Sequence, residues 1–331
     1  MKPLVSILVP VYNVGAFLEK NLVSLFEQTF DKMEFIFVND ASTDNSMQIL
    51  NEVLEYYPNR KEQVHIMQHS ENKGLAAART TALQNAHGDY LLHVDSDDWL
   101  ELDMVEKMYQ SAIYNNADIV CCGINLEYPN MTKKECYSKM DDISNFLGIK
   151  YLEGGIYSSL CNKLIRRELY INNNILPYEN IQMWEDLGQT FRLRFYASKI
   201  ICLKECLYHY NKMNINSVSI PKEKNILDQI KCAQLLEDFL IMNNALDKYN
   251  KEIAYLKLKS KQGFIVFPQL RDLEYWCHIY EKTHKYIWTL SDIPCNLRVI
   301  YWLLDKKYFN LASILLKFRD KKLLNLNSAT L

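Results

Sequence analysis

"DYLLHVDSDDWLE", residues 89–101, runs an apolar segment straight into three carboxylates within four positions. Tyr90, Leu91, Leu92 and Val94 suit a buried strand, and the polar Asp95-Ser96-Asp97-Asp98 that follows suits its end. Three segments of the same kind come earlier, at residues 4–9, 34–38 and 64–67, each short, apolar and rich in β-branched or aromatic side chains. Between them the apolar spacing becomes helical, over residues 17–28, 44–56 and 75–86. Strict alternation of strand and helix predicts βαβ units and a mostly parallel, Rossmann-like sheet flanked by helices. Ligands of such sheets bind beyond the carboxyl ends of the strands. The residues to watch are therefore Pro10 to Asn13, Asn39 to Asp44, Asn72 to Gly74 and Asp95 to Asp98.

The chain has 331 residues, 49% of them hydrophobic and 24% charged, with a formal net charge of -2. That balance describes an ordinary globular protein and argues against a general nucleic-acid binder, which carries a basic excess. Nine cysteines without a CxxC pair read as reduced thiols of a cytosolic protein rather than as a zinc site. The apolar run after Lys2 is too short for a membrane span or a secretory leader. Strand-like alternation ceases after Pro221, and residues 220–331 read as a helical region broken near Pro268 and Pro294.

Several side chains carry chemistry. On an extended backbone, residues two apart share a side, so Asp95 and Asp97 converge while Asp98 points elsewhere and caps a helix beginning near Trp99. Paired carboxylates suit a hard divalent cation shared with phosphates. A calcium loop of the EF-hand kind would need glycine where Leu100 stands. Asp40 is placed to accept a hydrogen bond from a ligand N–H, with Ser42 or Asp44 left to cap the next helix. Lys73 and Arg79 flank a helix start suited to phosphate, with a solvent-facing role as the competing account. Glu185-Asp186 is either an exposed first-turn pair that favours the helix dipole or a general base for a hydroxyl.

Read in order, "VSILVPVYN" (5–13), "FVNDASTDNS" (37–46), "ENKGLAAAR" (71–79), "HVDSDDWL" (93–100), "CNKLIRRELY" (161–170), "WEDLGQTFRL" (184–193) and "LYHYNKMNINSVS" (207–219) resemble family 2 glycosyltransferases of the GT-A fold. The resemblance covers roughly two thirds of the chain. It implies a catalytic domain over residues 1–219, with the nucleotide-sugar side at 1–100 and the acceptor side at 101–219. It implies that Pro10, Val11, Tyr12, Asp40, Arg79, Asp95 and Ser96 bind a nucleoside diphosphate sugar, usually a UDP-sugar. Asp97 with Asp95 would hold Mn²⁺ or Mg²⁺, and Asp186 would deprotonate the acceptor hydroxyl with Trp184 and Glu185 beside it. The reaction implied is an inverting, metal-dependent transfer to a glycan or lipid-linked acceptor in cell-surface polysaccharide synthesis. Gly15 departs from the glutamate common after PVYN, and Thr80 from the asparagine that often follows the arginine.

His209 lies in a segment resembling a loop that closes over the donor; as a residue it is either a ligand of metal or phosphate, or a packed side chain. The basic, apolar C-terminus reads as a helix packed on the protein or on a second copy, or one lying on the inner face of a plasma membrane. Two other functional classes fit parts of the pattern: a DxD phosphatase or sugar nucleotidyltransferase, and a non-catalytic nucleotide-sugar binder.

Overall fold

A computed structural model describes residues 2–137, 147–152, 155–214 and 222–328, without the side chains from residue 322 onward. The chain divides into two compact units, one comprising Met1–Phe146 with Glu153–Ser217, the other Leu147–Leu152 with Val218–Leu331.

The first unit opens with β1 (Val5–Val11), α1 (Gly15–Phe26), β2 (Met33–Asn39), α2 (Ser46–Glu55), β3 (Val64–Gln68), α3 (Leu75–Gln84) and β4 (Tyr90–His93). It continues through β5 (Trp99–Leu100), α4 (Met104–Asn115), β6 (Ile119–Tyr128), β7 (Met131–Glu135), β8 (Lys163–Arg166), α5 (Arg167–Asn172), α6 (Glu185–Tyr196) and β9 (Ile200–Asn211). Among the described residues these strands form one sheet in the order β3-β2-β1-β4-β8-β6-β9-β5, with β7 beside β6. Pairing is parallel through β3-β2-β1-β4 and mixed beyond, where β8 runs antiparallel to both its neighbours. Both β1 and β2 are buried along their whole length, as continuous apolar runs in a doubly covered parallel sheet must be.

Two polar devices set the geometry of this half. Glu34, buried on β2, accepts hydrogen bonds from Ser6 Oγ (2.6 Å) and from the backbone N–H groups of His87 and Gly88 (2.6 and 3.3 Å). It thereby ties the turn before β4 to β1 and β2. Asp44 accepts from the N–H of Gly15 (2.9 Å) and of Ser46 (3.0 Å), so one carboxylate serves the amino ends of both α1 and α2. Burial opposes its charge, but the hydrogen bonds from Ser46 and Gly15 hold the acid below its ordinary range. A Cβ at Gly15 would meet Asn45 Oδ1, the end of an exposed side chain that would have to move aside.

Two expectations fail. No helix starts near Trp99: Trp99–Leu100 forms β5 against β9, and α4 begins only at Met104. The cysteines are not all reduced, because Cys136 and Cys206 form a disulfide with an S–S distance of 2.11 Å. The register of β6 with β7 and β9 brings these two residues together across 70 positions, over Gly123, where a Cβ would lie 2.5 Å from Cys206 Sγ. A pairing made by tertiary register leaves no spacing motif in the sequence.

The second unit contains α7 (Glu223–Met242), α8 (Asn250–Ser260), α9 (Gly263–Val266), α10 (Leu273–His278), α11 (Cys295–Asp305) and α12 (Phe309–Ser328). Short 3₁₀ turns separate several of them, one starting at Pro268, and Pro294 directly precedes α11. Its core includes the buried Lys261, whose ammonium donates to the carbonyls of Trp276 (2.9 Å) and Ile279 and lies 2.7 Å from His284 Nε2. Among the described residues, no helix is long and apolar enough to cross a membrane.

Gly88 offers the sharpest check on the first unit, because a Cβ there would sit 2.6 Å from the backbone N of Ser6 and 2.8 Å from the carbonyl carbon of Val5. Gly88→Ala must push β1 and β4 apart, so denaturant unfolding should show a loss of about 1–3 kcal/mol; an unchanged midpoint would refute this packing.

Candidate active site

The site is built around the Arg79 guanidinium on α3. The alanines that precede it let the helix lie close to the sheet, and the arginine itself is only 2% exposed. Its Nη2 donates to Asp95 (2.9 Å), just past β4, while Nη1 pairs with Asp186 and reaches Glu185 at 3.5 Å, both on the first turn of α6. Burial disfavours the charge, but Asp186, Asp95 and Glu185 more than offset this and hold the guanidinium's pKa well above its ordinary value. The solvent-facing account of Arg79 is thereby excluded. So is the account of Glu185-Asp186 as an open, exposed pair.

Asp186 is held a second time, by the Leu160 N–H at 3.1 Å. The residue before the pair, Trp184, has φ 70°, a left-handed conformation rare for a bulky side chain. Such backbone strain is tolerated where the surroundings enforce it, commonly at functional sites. Here it starts α6 so that two consecutive carboxyls face Arg79. Burial first, and Asp186 second, push the Glu185 carboxyl up to about 8. Near neutral pH that group holds a proton and can donate a hydrogen bond.

Residues 95–98 form a turn, closed by Asp98 N–H to Asp95 C=O at 3.1 Å. Asn21 on α1 donates to the carbonyls of Asp95 (3.2 Å) and Asp98 (2.9 Å). From β9, Tyr208 donates its hydroxyl to Asp98 (2.6 Å) and accepts from the Asp95 N–H (3.2 Å), while the Asn211 N–H donates to Asp98 (2.7 Å). Asp98 is therefore neither a helix cap nor turned away. Burial, then Asp97 and Asp95, raise its pKa well above the ordinary carboxylate range.

A turn replaces the extended backbone expected here, and the pairing of acids changes with it. Oxygens of Asp95 and Asp98 lie within 4.8 Å of each other and of the Cys161 thiol. Asp97 stands on the rim, part-exposed, and its carboxylate accepts from Asn214 Nδ2 at 2.8 Å. Its charge still reaches Asp95, whose pKa is raised by burial and by Asp186 and Asp97 against the pull of Arg79. Three carboxyls thus share one guanidinium, with Asp97 and Asp98 close by. This oxygen-rich, unbalanced set fits a hard divalent cation.

The other expected residues lie at the neighbouring strand ends. Pro10 and Val11 are buried at the end of β1, Tyr12 is exposed, and Ser96 is buried in the turn. Asp40 is buried and largely occupied: Oδ1 faces His69 Nδ1 (2.6 Å) and the Lys73 N–H (2.9 Å), and Oδ2 accepts from Gly74 N–H (2.7 Å). One lone pair remains, on Oδ2. The Asp40 carboxylate thus takes two N–H groups at the start of α3, where phosphate was expected, and the Lys73 side chain is exposed.

His209 is a packed residue. It stacks on Trp99 at 5.2 Å and lies between Glu127 (2.7 Å) and Glu101 (3.0 Å), while Lys20 covers the other face of Trp99 at 3.0 Å. Ser217, Val218 and Ser219 fall outside the described residues. Sequence reasoning assigned no role to His69, Cys161, Tyr208 or Asn214. Cys161, Tyr208 and Asn214 carried a signal, as parts of the "CNKLIRRELY" and "LYHYNKMNINSVS" stretches.

The family model for glycosyl transferase family 2 matches residues 6–175. The chain belongs to that family. It is 32% identical over 258 residues to the putative glycosyltransferase EpsH of Bacillus subtilis, covering 76% of this chain and 73% of that one. Among solved structures, TarS of Staphylococcus aureus in complex with UDP superposes with a TM-score of 0.66 at 19% identity, over 96% of this chain and 91% of that one. The mannosyltransferase PcManGT of Pyrobaculum calidifontis, solved with GDP-Man and Mn²⁺, gives 0.52 at 16% identity over 95% and 84%. The fold is GT-A, and this family 2 enzyme is a glycosyltransferase.

Glu185 makes the transferase's stability depend on pH. Its folded pKa of about 8 lies above the ordinary 4.5, so the folded state binds the extra proton in between. Its contribution is complete below pH 4.5 and is lost as pH rises through about 8. Thermal unfolding in metal-free buffer should show stability falling over this window, and Glu185→Gln should flatten the fall; an equal slope in the variant would remove Glu185 as its source.

Proposed function

We propose that the enzyme transfers a sugar from a nucleoside diphosphate donor, a UDP-sugar, to a hydroxyl of a glycan or lipid-linked acceptor, with inversion, in cell-surface polysaccharide synthesis. The observation that carries this reading is the shared guanidinium: Arg79 joins Asp95, at the end of a donor-side strand, to Asp186, the candidate base. A donor site and a proton acceptor are thereby adjacent within one charge cluster. The UDP bound by TarS supports a uridine nucleotide, and the Mn²⁺ of PcManGT supports a metal.

In this reading residues 1–100 form the donor side, 101–219 the acceptor side, and 220–331 a helical region outside the chemistry. Pro10, Val11, Tyr12 and Ser96 line the nucleotide, and the remaining lone pair of Asp40 Oδ2 accepts a base N–H. Asp97 and Asp95 hold Mn²⁺ or Mg²⁺, which when bound neutralises charge developing on the leaving diphosphate. Asp186 takes the proton from the acceptor hydroxyl, oriented by Arg79 and the Leu160 N–H. Trp184 and Glu185 flank the acceptor, and the protonated Glu185 donates a hydrogen bond to it. The acceptor oxygen attacks the anomeric carbon opposite the departing diphosphate, so one displacement inverts the centre. Alignment of donor and acceptor supplies much of the remaining rate.

A thermal-shift screen of nucleotide sugars with and without Mn²⁺ tests the reading. A UDP-sugar with Mn²⁺ should raise the melting temperature, and Asp97→Ala should abolish the metal-dependent part. Asp186→Asn should keep the shift while lowering transfer roughly 10²- to 10⁴-fold. If no sugar nucleotide stabilises the protein with either metal, or if sugar phosphates release phosphate equally well in Asp186→Asn, the proposal fails.

A further inference from the structure

α12 presents apolar side chains to solvent as well as to its own unit. On the inner face Ala312 and Leu316 are fully buried, and Arg319 donates to the Val266 carbonyl at 3.2 Å. Asp320 pairs there with Arg271 at 2.9 Å. At 100° per residue Leu311, Ile314, Leu315 and Phe318 share an arc that runs from the flank of that stripe round to its back, and they are 39–70% exposed. A helix with a buried stripe and a second apolar stripe behind it is not satisfied by its own fold, since a surface helix ordinarily turns polar residues outward. Trp302 and Tyr308, both exposed and 6.4 Å apart by ring centroid, extend the apolar surface at the turn before α12.

Charge decides what this face fits. Lys307, Lys317 and Lys321 are exposed around it. The two acids in the segment are neutralised, Asp320 by Arg271 and Arg319 and Asp305 by Lys306 at 3.0 Å. What remains is an apolar stripe with a cationic border and an aromatic pair at one end. A second copy docking by the same face would bring its own lysines against these. An anionic bilayer accepts all three features, because lysines reach headgroups while their stems and the leucines enter the acyl boundary. Tryptophan and tyrosine favour that same depth.

We infer that α12 is a peripheral membrane anchor whose outward face lies in the headgroup region of an anionic lipid surface. It stands independently of the donor and acceptor assigned above.

Co-sedimentation of the full chain with vesicles tests this. Binding should be strong on phosphatidylcholine mixed with an equal part of phosphatidylglycerol, weak on phosphatidylcholine alone, and reduced by salt. Leu311→Ser with Phe318→Ser should weaken binding at least tenfold, and Lys317→Gln with Lys321→Gln should lose roughly fivefold per charge. Melting temperature and sedimentation velocity without lipid accompany each variant, so that a folding defect is recognised; the lysine pair, exposed at both positions, serves if the apolar pair unfolds. The inference is overturned if the wild type does not sediment with anionic vesicles, if neither folded variant loses binding, or if the apolar pair only dissolves a dimer.

Discussion

A buried guanidinium holds the catalytic unit's site together. Taking Arg79 out of water is costly, and the chain offsets that cost by bringing Asp95 and Asp186 to it, with Glu185 beside them, from two separate stretches. The position of α6 relative to α3 and the end of β4 is therefore an electrostatic requirement as well as a matter of packing. Removing either partner leaves an uncompensated charge in a region of low polarity. The same contact, with the Leu160 N–H, fixes where the Asp186 carboxyl points.

The acidic turn obeys a similar logic with different parts. Four charges of one sign in close quarters, at Asp95, Asp97, Asp98 and Asp186, would repel one another unless some were spent on structure. Asp98 is spent: it is buried, hydrogen-bonded to Tyr208 and to the Asn211 N–H, and fixes the turn to β9. Asn21 holds the same turn from the α1 side through backbone carbonyls. Asp95 and Asp97 are left facing the ligand side, one braced by Arg79 and the other by Asn214. The negative potential that results is what a divalent cation would relieve.

Much of this was legible because the first half of the fold is local. Apolar runs of four to seven residues separated by helical spacing give parallel strands by βαβ connection, so the ends of β1, β2 and β4 fall at one edge without any long-range information. Position past a strand end then marks Asp40, Asp95 and Asp97 as candidates. The same reasoning misjudged Asp98, since a side chain's direction after a strand depends on whether the backbone stays extended. Here it turns, and the helix expected at Trp99 gives way to a strand because β9, a hundred residues later, offers an edge.

The sequence by itself determined the elements, their alternation, and the residue types able to bind metal, phosphate and protons, because these follow from periodicity and from intrinsic side-chain chemistry. Only the tertiary structure decided which carboxyl is structural and which is free, that Arg79 is buried among three acids, and that Cys136 meets Cys206. Those outcomes depend on sheet register and on desolvation. Both arise from contacts between residues far apart in the chain, and neither leaves a periodic trace along it.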